Sequence, residues 1–306
     1  MPGEIELLEV GPRDGLQLER TILSTEDKVE LVNRLIGAGL RRIEVASFVN
    51  PKKVPQMADA DQLVAALPRI DGVYFTGLVL NRKGFERAIA AGCNEIGMVV
   101  VASDTFNRRN QGVSTEESIE AWSDIARAAR QAGVRAQVTI SAAFGCPFEG
   151  EVPLERVIDI AKRVAEAGPY EICFADTIGV GVPAQVSRLL QRAREALPGQ
   201  RLRCHFHNTR NTGIANAMAA VEAGVGVLDA SIGGIGGCPF APAATGNIAS
   251  EDLLYMLDRS GIRTGVSLEK MIETAHWLEG KLGRAVPGML AKAGPFPRVA
   301  AAPSAS

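Results

Sequence analysis

The residues able to do chemistry sit in a few short segments, and the most telling is His205-Phe206-His207. Side chains alternate along a strand, so residues two apart point the same way and two imidazoles can converge on one ion. The plainer alternative is a hydrogen-bonded polar pair where a strand emerges. The chain holds three histidines, and only His276 stands elsewhere. Near the N-terminus, Gly11-Pro12-Arg13-Asp14-Gly15 offers Asp14 as an oxygen ligand and Arg13 as a positive fork for a developing oxyanion. Taken alone, it is also a Pro/Asp/Gly turn with a surface arginine. Further on, Gly233-Gly234-Ile235-Gly236-Gly237-Cys238-Pro239 is too rich in glycine to pack a core. Such a loop permits close backbone approach to a ligand, and Cys238 is either a proton donor or nucleophile, or an ordinary thiol on a hinge.

Two carboxylates and an amide complete the set. Glu44 lies between Ile43 and Val45 and should point inward, where it needs a partner; Arg13 is the natural one. Asp176 sits where a strand ends, as a reacting group or as a cap of the helix that follows. Asn247 can give a neutral oxygen, with Glu251 close behind. Together Asp14, His205, His207 and Asn247 would make a hard, roughly octahedral site with positions open for substrate and water. Magnesium or manganese suits that donor set better than structural zinc, which stays as the alternative.

These residues lie far apart in the chain, so regular elements must gather them. Short, nearly continuous apolar runs at 5–10, 42–46, 73–80, 95–101, 136–141, 170–175, 202–207 and 225–231 read as parallel strands buried on both faces. Amphipathic stretches separate them. Ser24 and Ser114 open helices with acidic residues close behind, and Pro183 suits a first helical turn. A recurring Ala-Gly closes helices before the next strand, at Gly39, Gly92, Gly133, Gly168 and Gly224. Eight such units predict an α/β fold, a closed (β/α)8 TIM barrel with its active site on the rim where the strands end. An open doubly wound sheet is the runner-up, but no GxGxxG follows the first strand. Segments 250–260 and 267–282 predict two extra C-terminal helices. The reading is one catalytic domain over 1–300, with a disordered Ala/Pro/Ser tail at 301–306.

Composition narrows the function. The chain has 306 residues, 46% hydrophobic and 22% charged, with a net charge of −2 and no charge blocks, so the basic footprint of a nucleic-acid binder is missing. Aromatic residues at 5% offer little for base stacking. Five dispersed cysteines form no CxxC pair, which fits a reducing, cytoplasmic setting without a disulfide framework. The N-terminus has no basic region followed by an apolar run, and no stretch of about 18 apolar residues could span a membrane.

At these positions the chain resembles the 3-hydroxy-3-methylglutaryl-CoA lyases, among the metal-dependent lyase barrels. The likeness rests on Glu9-Val10-Gly11-Pro12-Arg13-Asp14-Gly15-Leu16-Gln17, Ser47-Phe48-Val49-Asn50-Pro51, Val54-Pro55-Gln56-Met57-Ala58-Asp59 and Asp176-Thr177-Ile178-Gly179-Val180-Gly181. It continues from Gly236-Gly237-Cys238-Pro239 through Gly246-Asn247 to Glu251-Asp252-Leu253, spanning roughly residues 4 to 280. The resemblance implies a retro-Claisen cleavage of 3-hydroxy-3-methylglutaryl-CoA to acetyl-CoA and acetoacetate. It implies metal binding by Asp14, His205, His207 and Asn247, and catalysis by Arg13, Glu44, Asp176, His205 and Cys238. Arg13 and Gln17 would meet the substrate, and Arg20 and Asn110 would approach its CoA part. A homo-oligomer is expected, with an acyl-CoA as the small-molecule partner.

Two departures bear on the substrate. Asn208 replaces the acidic residue usual after the second histidine. On the fifth strand, Gln137-Val138-Thr139 stands where Arg-Gly-Tyr is usual, so smaller neutral groups should line the acyl end of the pocket. The same chemistry on a related 3-hydroxy-3-substituted acyl-CoA is therefore the first alternative. An acetyl-CoA-dependent condensation, usually performed by longer chains, and a barrel that only binds CoA esters come after it.

Overall fold

The computed structural model describes residues 3–237 and 246–297. Eight strands follow one another around a closed barrel: β1 (Glu6–Glu9), β2 (Arg42–Ser47), β3 (Tyr74–Leu78), β4 (Glu95–Val101), β5 (Arg135–Ser141), β6 (Glu171–Asp176), β7 (Leu202–Phe206) and β8 (Val227–Ala230). Each pairs in parallel with the next, and β8 closes on β1 with Leu8 opposite Asp229. Every residue of β2 and β6 is buried, as the continuous apolar runs predict for strands covered on both faces. The expected tail at 301–306 lies outside the described residues.

The helices are α1 (Thr25–Ala38), α2 (Ala60–Ala66), α3 (Arg82–Ala91), α4 (Asp104–Gln111), α5 (Thr115–Gln131), α6 (Leu154–Ala165), α7 (Pro183–Ala196), α8 (Gly213–Glu222), α9 (Ser250–Arg259), α10 (Leu268–Leu282) and α11 (Leu290–Ala293). Their starts follow from local chemistry. Ser24 accepts a hydrogen bond from the Asp27 amide, and Ser114 and Glu117 cap one another reciprocally at the start of α5. The expected C-terminal helices are α9 and α10. Helix α4 escapes a periodicity reading because only Phe106 and Asn107 are buried on it; the Ser103 hydroxyl, accepting from the Phe106 amide, starts it instead.

The apolar core lies between strands and helices, where Ile43, Ile96, Ile172 and Phe174 meet residues such as Leu35, Trp122 and Val164. Inside the barrel the first residues of alternate strands carry charge. Arg42 donates to Glu95 on β4 and to Glu171 on β6, and Thr76 on β3 donates to Glu95. Because β2 and β6 are not neighbours, the Arg42–Glu171 contact crosses the barrel and closes its N-terminal floor. The described cysteines Cys93, Cys146, Cys173 and Cys204 are free and buried. Among the described residues no helix is long and apolar enough to cross a membrane.

Candidate active site

The turn after β1 is built on one acceptor. The Val10 carbonyl receives the amides of Arg13, Asp14 and Gly15, which folds 11–15 tightly. Gly15 packs so closely against Ile235 that a Cβ would stand 2.6 Å from its Cγ1. Below the turn, Glu9 accepts from the amides of Gly11 and Ile232 and from the Ser250 hydroxyl, joining the turn to the segment after β8. Burial, only partly offset by these donors, pushes the Glu9 carboxyl up to about 7. Glu251, which accepts from the Gly233 amide, is pushed up to about 8 in the same way.

Arg13 reaches Glu44 through Nε at 2.8 Å and Nη2 at 2.5 Å, and Asp14 through Nη1 at 2.6 Å. The pairing expected for the inward Glu44 is therefore present. Burial raises the Glu44 carboxyl, with Arg13 opposing the shift. Three of the five guanidinium N–H groups are committed here, leaving two for a further acceptor.

Asp14, His205 and His207 come together, their candidate ligand atoms all within 4.8 Å of one another. Strand parity explains the histidines: His205 lies in β7, and His207, one step past its end, bridges to Asn247. Asn247 donates through Nδ2 to Asp14 Oδ2 at 2.9 Å and to the Ile235 carbonyl at 3.1 Å. Its Oδ1 and His207 Nδ1 are buried without a hydrogen-bond partner among the described residues. Burial opposes ionisation of Asp14, but Arg13 and the two imidazoles outweigh it and hold the carboxyl at about 2. Burial together with His205 pushes His207 down to about 3. An ionised carboxylate, a neutral imidazole and two orphaned buried acceptors are what a divalent cation would satisfy, so the residues fit such an ion.

The other expected site residues are placed unequally. Both Asp176 oxygens accept backbone amides, from Val180 and Gly181, so this carboxylate shapes the turn leading into α7. It does not cap α7, whose N-cap is Val182, since both donors lie ahead of that helix. Gln17 is half-buried with Oε1 lacking a partner, whereas Arg20 and Asn110 stand exposed. Cys238 lies outside the described residues. The ends of its loop meet at the site, since the Asn247 amide donates to the Gly236 carbonyl and the Asn208 amide to that of Gly246.

Gln137 and Thr139 correct the sequence reading. They do not simply leave neutral space, because Arg203 on β7 brings a guanidinium to them. Its Nη2 donates to Gln137 Oε1 and approaches Thr139 Oγ1 at 3.4 Å. Arg203 also donates to Glu171 and to Asp229 on β8. Asp229 in turn meets His205 Nδ1 at 3.2 Å, which leaves Nε2 of that ring for an ion or a proton. Burial works against charge on His205, but Asp229 overcomes it and raises the imidazole pKa. Neither Arg203 nor Asp229 figures in the sequence reading. Both carried a signal: Arg203 is two residues before His205, and Asp229 is an acid flanked by apolar neighbours in a strand, as Glu44 is.

Comparison with known proteins bears on this geometry. The HMGL-like family model matches residues 4–278. The (R)-citramalyl-CoA lyase of Chloroflexus aurantiacus is 46% identical over 96% of each chain. The hydroxymethylglutaryl-CoA lyase of Pseudomonas mevalonii is 45% identical over 92% of this chain and 93% of its own. An HMG-CoA lyase from Acinetobacter baumannii, solved in complex with coenzyme A and 3-methylmalate, superposes with a TM-score of 0.92 at 37% identity, covering 98% of both chains.

Proposed function

The chain belongs to the HMGL-like family and is a carbon–carbon lyase; on that premise we propose that it cleaves a 3-hydroxy-3-methyl acyl-CoA bearing a carboxylate, releasing acetyl-CoA. Support comes from one arrangement above all, the meeting of Asp14, His205 and His207 beside Asn247 and Arg13. Asp14, His207 and Asn247 would hold a divalent cation, magnesium or manganese, and His205 Nε2, its other nitrogen held by Asp229, would either join them or take a proton. When bound, that ion supplies Lewis acidity at the substrate's tertiary hydroxyl.

The protein's own groups carry the remaining steps. Both Asp14 oxygens are engaged, one by Arg13 and one by Asn247, so His205 Nε2 is the better base for the hydroxyl proton. As that proton leaves, C3 becomes a carbonyl and the C2–C3 bond breaks, its electron pair passing to the acetyl-CoA enolate. Arg13 turns its two uncommitted N–H groups to the enolate oxygen, with Glu44 fixing their direction. Cys238 gives C2 its proton and is reprotonated from His205. Gln17 completes the substrate contacts, and Arg20 and Asn110, exposed on the surface, meet the CoA portion.

Two arm lengths fit this chemistry. With 3-hydroxy-3-methylglutaryl-CoA, the substrate in the name of the Pseudomonas mevalonii relative, the second product is acetoacetate. With citramalyl-CoA, whose carboxylate sits directly on the carbinol carbon, it is pyruvate; the altered fifth-strand pair Gln137 and Thr139 favours this second substrate. The test is acetyl-CoA release from a panel of 3-hydroxy-3-substituted acyl-CoAs, with chelator and then with added magnesium or manganese. Metal-dependent release is expected. Full turnover after exhaustive chelation, or no release from any member, overturns the proposal.

A further inference from the structure

Resting on that lyase reading, we infer that Arg203 sets the length of the acyl arm and commits the site to substrates whose carbinol carbon carries the carboxylate directly. The side chain is 2% exposed and rises from β7 two residues before His205, on the same side of the strand. Its guanidinium touches Gln137 and Thr139 on β5, Glu171 on β6 and Asp229 on β8. A planar group held by β5, β6 and β8 while rooted in β7 covers half the barrel's circumference. The same Asp229 oxygen meets Arg203 and His205, so this plane lies immediately beneath the ligand cluster.

The plane is stiff as well as shallow. Two carboxylates and an amide hold it, and moving it would strand buried charges. By accepting from Arg203, the Gln137 oxygen also turns its Nε2 towards Gly97. There a Cβ would stand 3.2 Å from Gln137 Nε2, 3.4 Å from Thr76 Cγ2 and 3.6 Å from Glu44 Oε1, so these side chains already close over the bare glycine. Above the plane, half-buried Thr139 presents a hydroxyl. A carbinol carbon among the ligands then sets a carboxylate bonded to it beside Thr139. One more methylene lengthens the arm by about 1.5 Å along a C–C bond, into a guanidinium that cannot give way. The product released with acetyl-CoA is then a 2-oxo acid.

The test compares kcat/KM for citramalyl-CoA and 3-hydroxy-3-methylglutaryl-CoA, using the full chain with magnesium. The parent should favour the shorter substrate by at least about tenfold, the usual worth of one misfitted methylene. Arg203→Ala opens the floor and should lower that ratio about tenfold or more. Arg203→Lys keeps a charge for Glu171 and Asp229 but gives up the reach to Gln137 and Thr139. It should move the ratio the same way by a smaller factor, and it decides the matter if the alanine variant does not fold. A parent that prefers the longer substrate overturns the inference. So does a lysine variant that slows both substrates equally, the mark of a purely structural arginine. In either case acetyl-CoA is still released and the lyase reading stands; no release from either substrate removes both.

Discussion

The two ends of the barrel interior are both charged, yet they are finished differently. At the floor, Arg42, Glu95, Glu171 and Arg203 hold one another through hydrogen-bonded ion pairs, and the two arginines draw the Glu171 carboxyl below its ordinary range against the pull of burial. At the rim, His207 Nδ1, Asn247 Oδ1 and Gln17 Oε1 are buried with no partner among the described residues. Unpaired buried polar atoms cost about 1–3 kcal/mol each, so a fold keeps them where something else supplies the missing interaction. The contrast teaches where to look for function: paired charges give shape, and orphaned acceptors gathered beside an ionised carboxylate mark the place of a ligand. Glu9 and Glu251 lie between these extremes. They accept backbone donors, but among the described residues no arginine or lysine pairs with them, and burial pushes both upwards.

This comparison can be broken at the rim first. His207→Ala removes a proposed metal ligand, and several kcal/mol of transition-state stabilisation should go with it, a loss of about 10³ in kcat. Because the ring leaves an unpaired buried nitrogen, the metal-free variant should melt no lower than the parent. A large drop in Tm with activity retained would mean that the ring is structural. The floor should behave in the opposite sense. Arg42→Met leaves Glu171 to Arg201 and Arg203 but strips Glu95 of its arginine, and should cost about 3–5 kcal/mol of stability in urea unfolding, while the folded variant still binds the metal. Equal stability of variant and parent would show that the floor network does not hold the barrel.

The smallest effect sharpens the intermediate case. Glu9 and Glu251 keep their protons in the folded chain up to about 7 and about 8, whereas unfolded carboxyls lose theirs near 4.5. The folded state therefore binds more protons across that window, and stability should fall as pH rises through it and level off above. Glu251→Gln keeps a hydrogen-bonding neutral group and should flatten the upper part of the profile. Parallel profiles for variant and parent, from thermal melts between pH 5 and 8.5, would count against a neutral Glu251.

Much of the site was legible before any coordinates, because its signals are local. Strand parity aligned His205 with His207, the Pro/Asp/Gly turn placed Arg13 beside Asp14, and apolar neighbours marked Glu44 as inward. Helix starts at Ser24 and Ser114 followed from side-chain caps within three residues. Asp176 was harder, since a reacting acid and a turn-forming acid look alike in the chain; only the fold shows that it accepts the Val180 and Gly181 amides of the turn before α7.

By itself, then, the sequence determined the repeated strand–helix plan and the identity of the rim residues, since periodicity and turn chemistry act over a few neighbours. Only the tertiary structure decided the floor, the Arg203–Asp229–His205 chain and the orphaned acceptors. Arg42 and Glu171 are 129 residues apart, and Arg203 and Asp229 are 26 apart. Whether such charges meet depends on how eight strands close into one barrel, and no pattern of nearby residues encodes that.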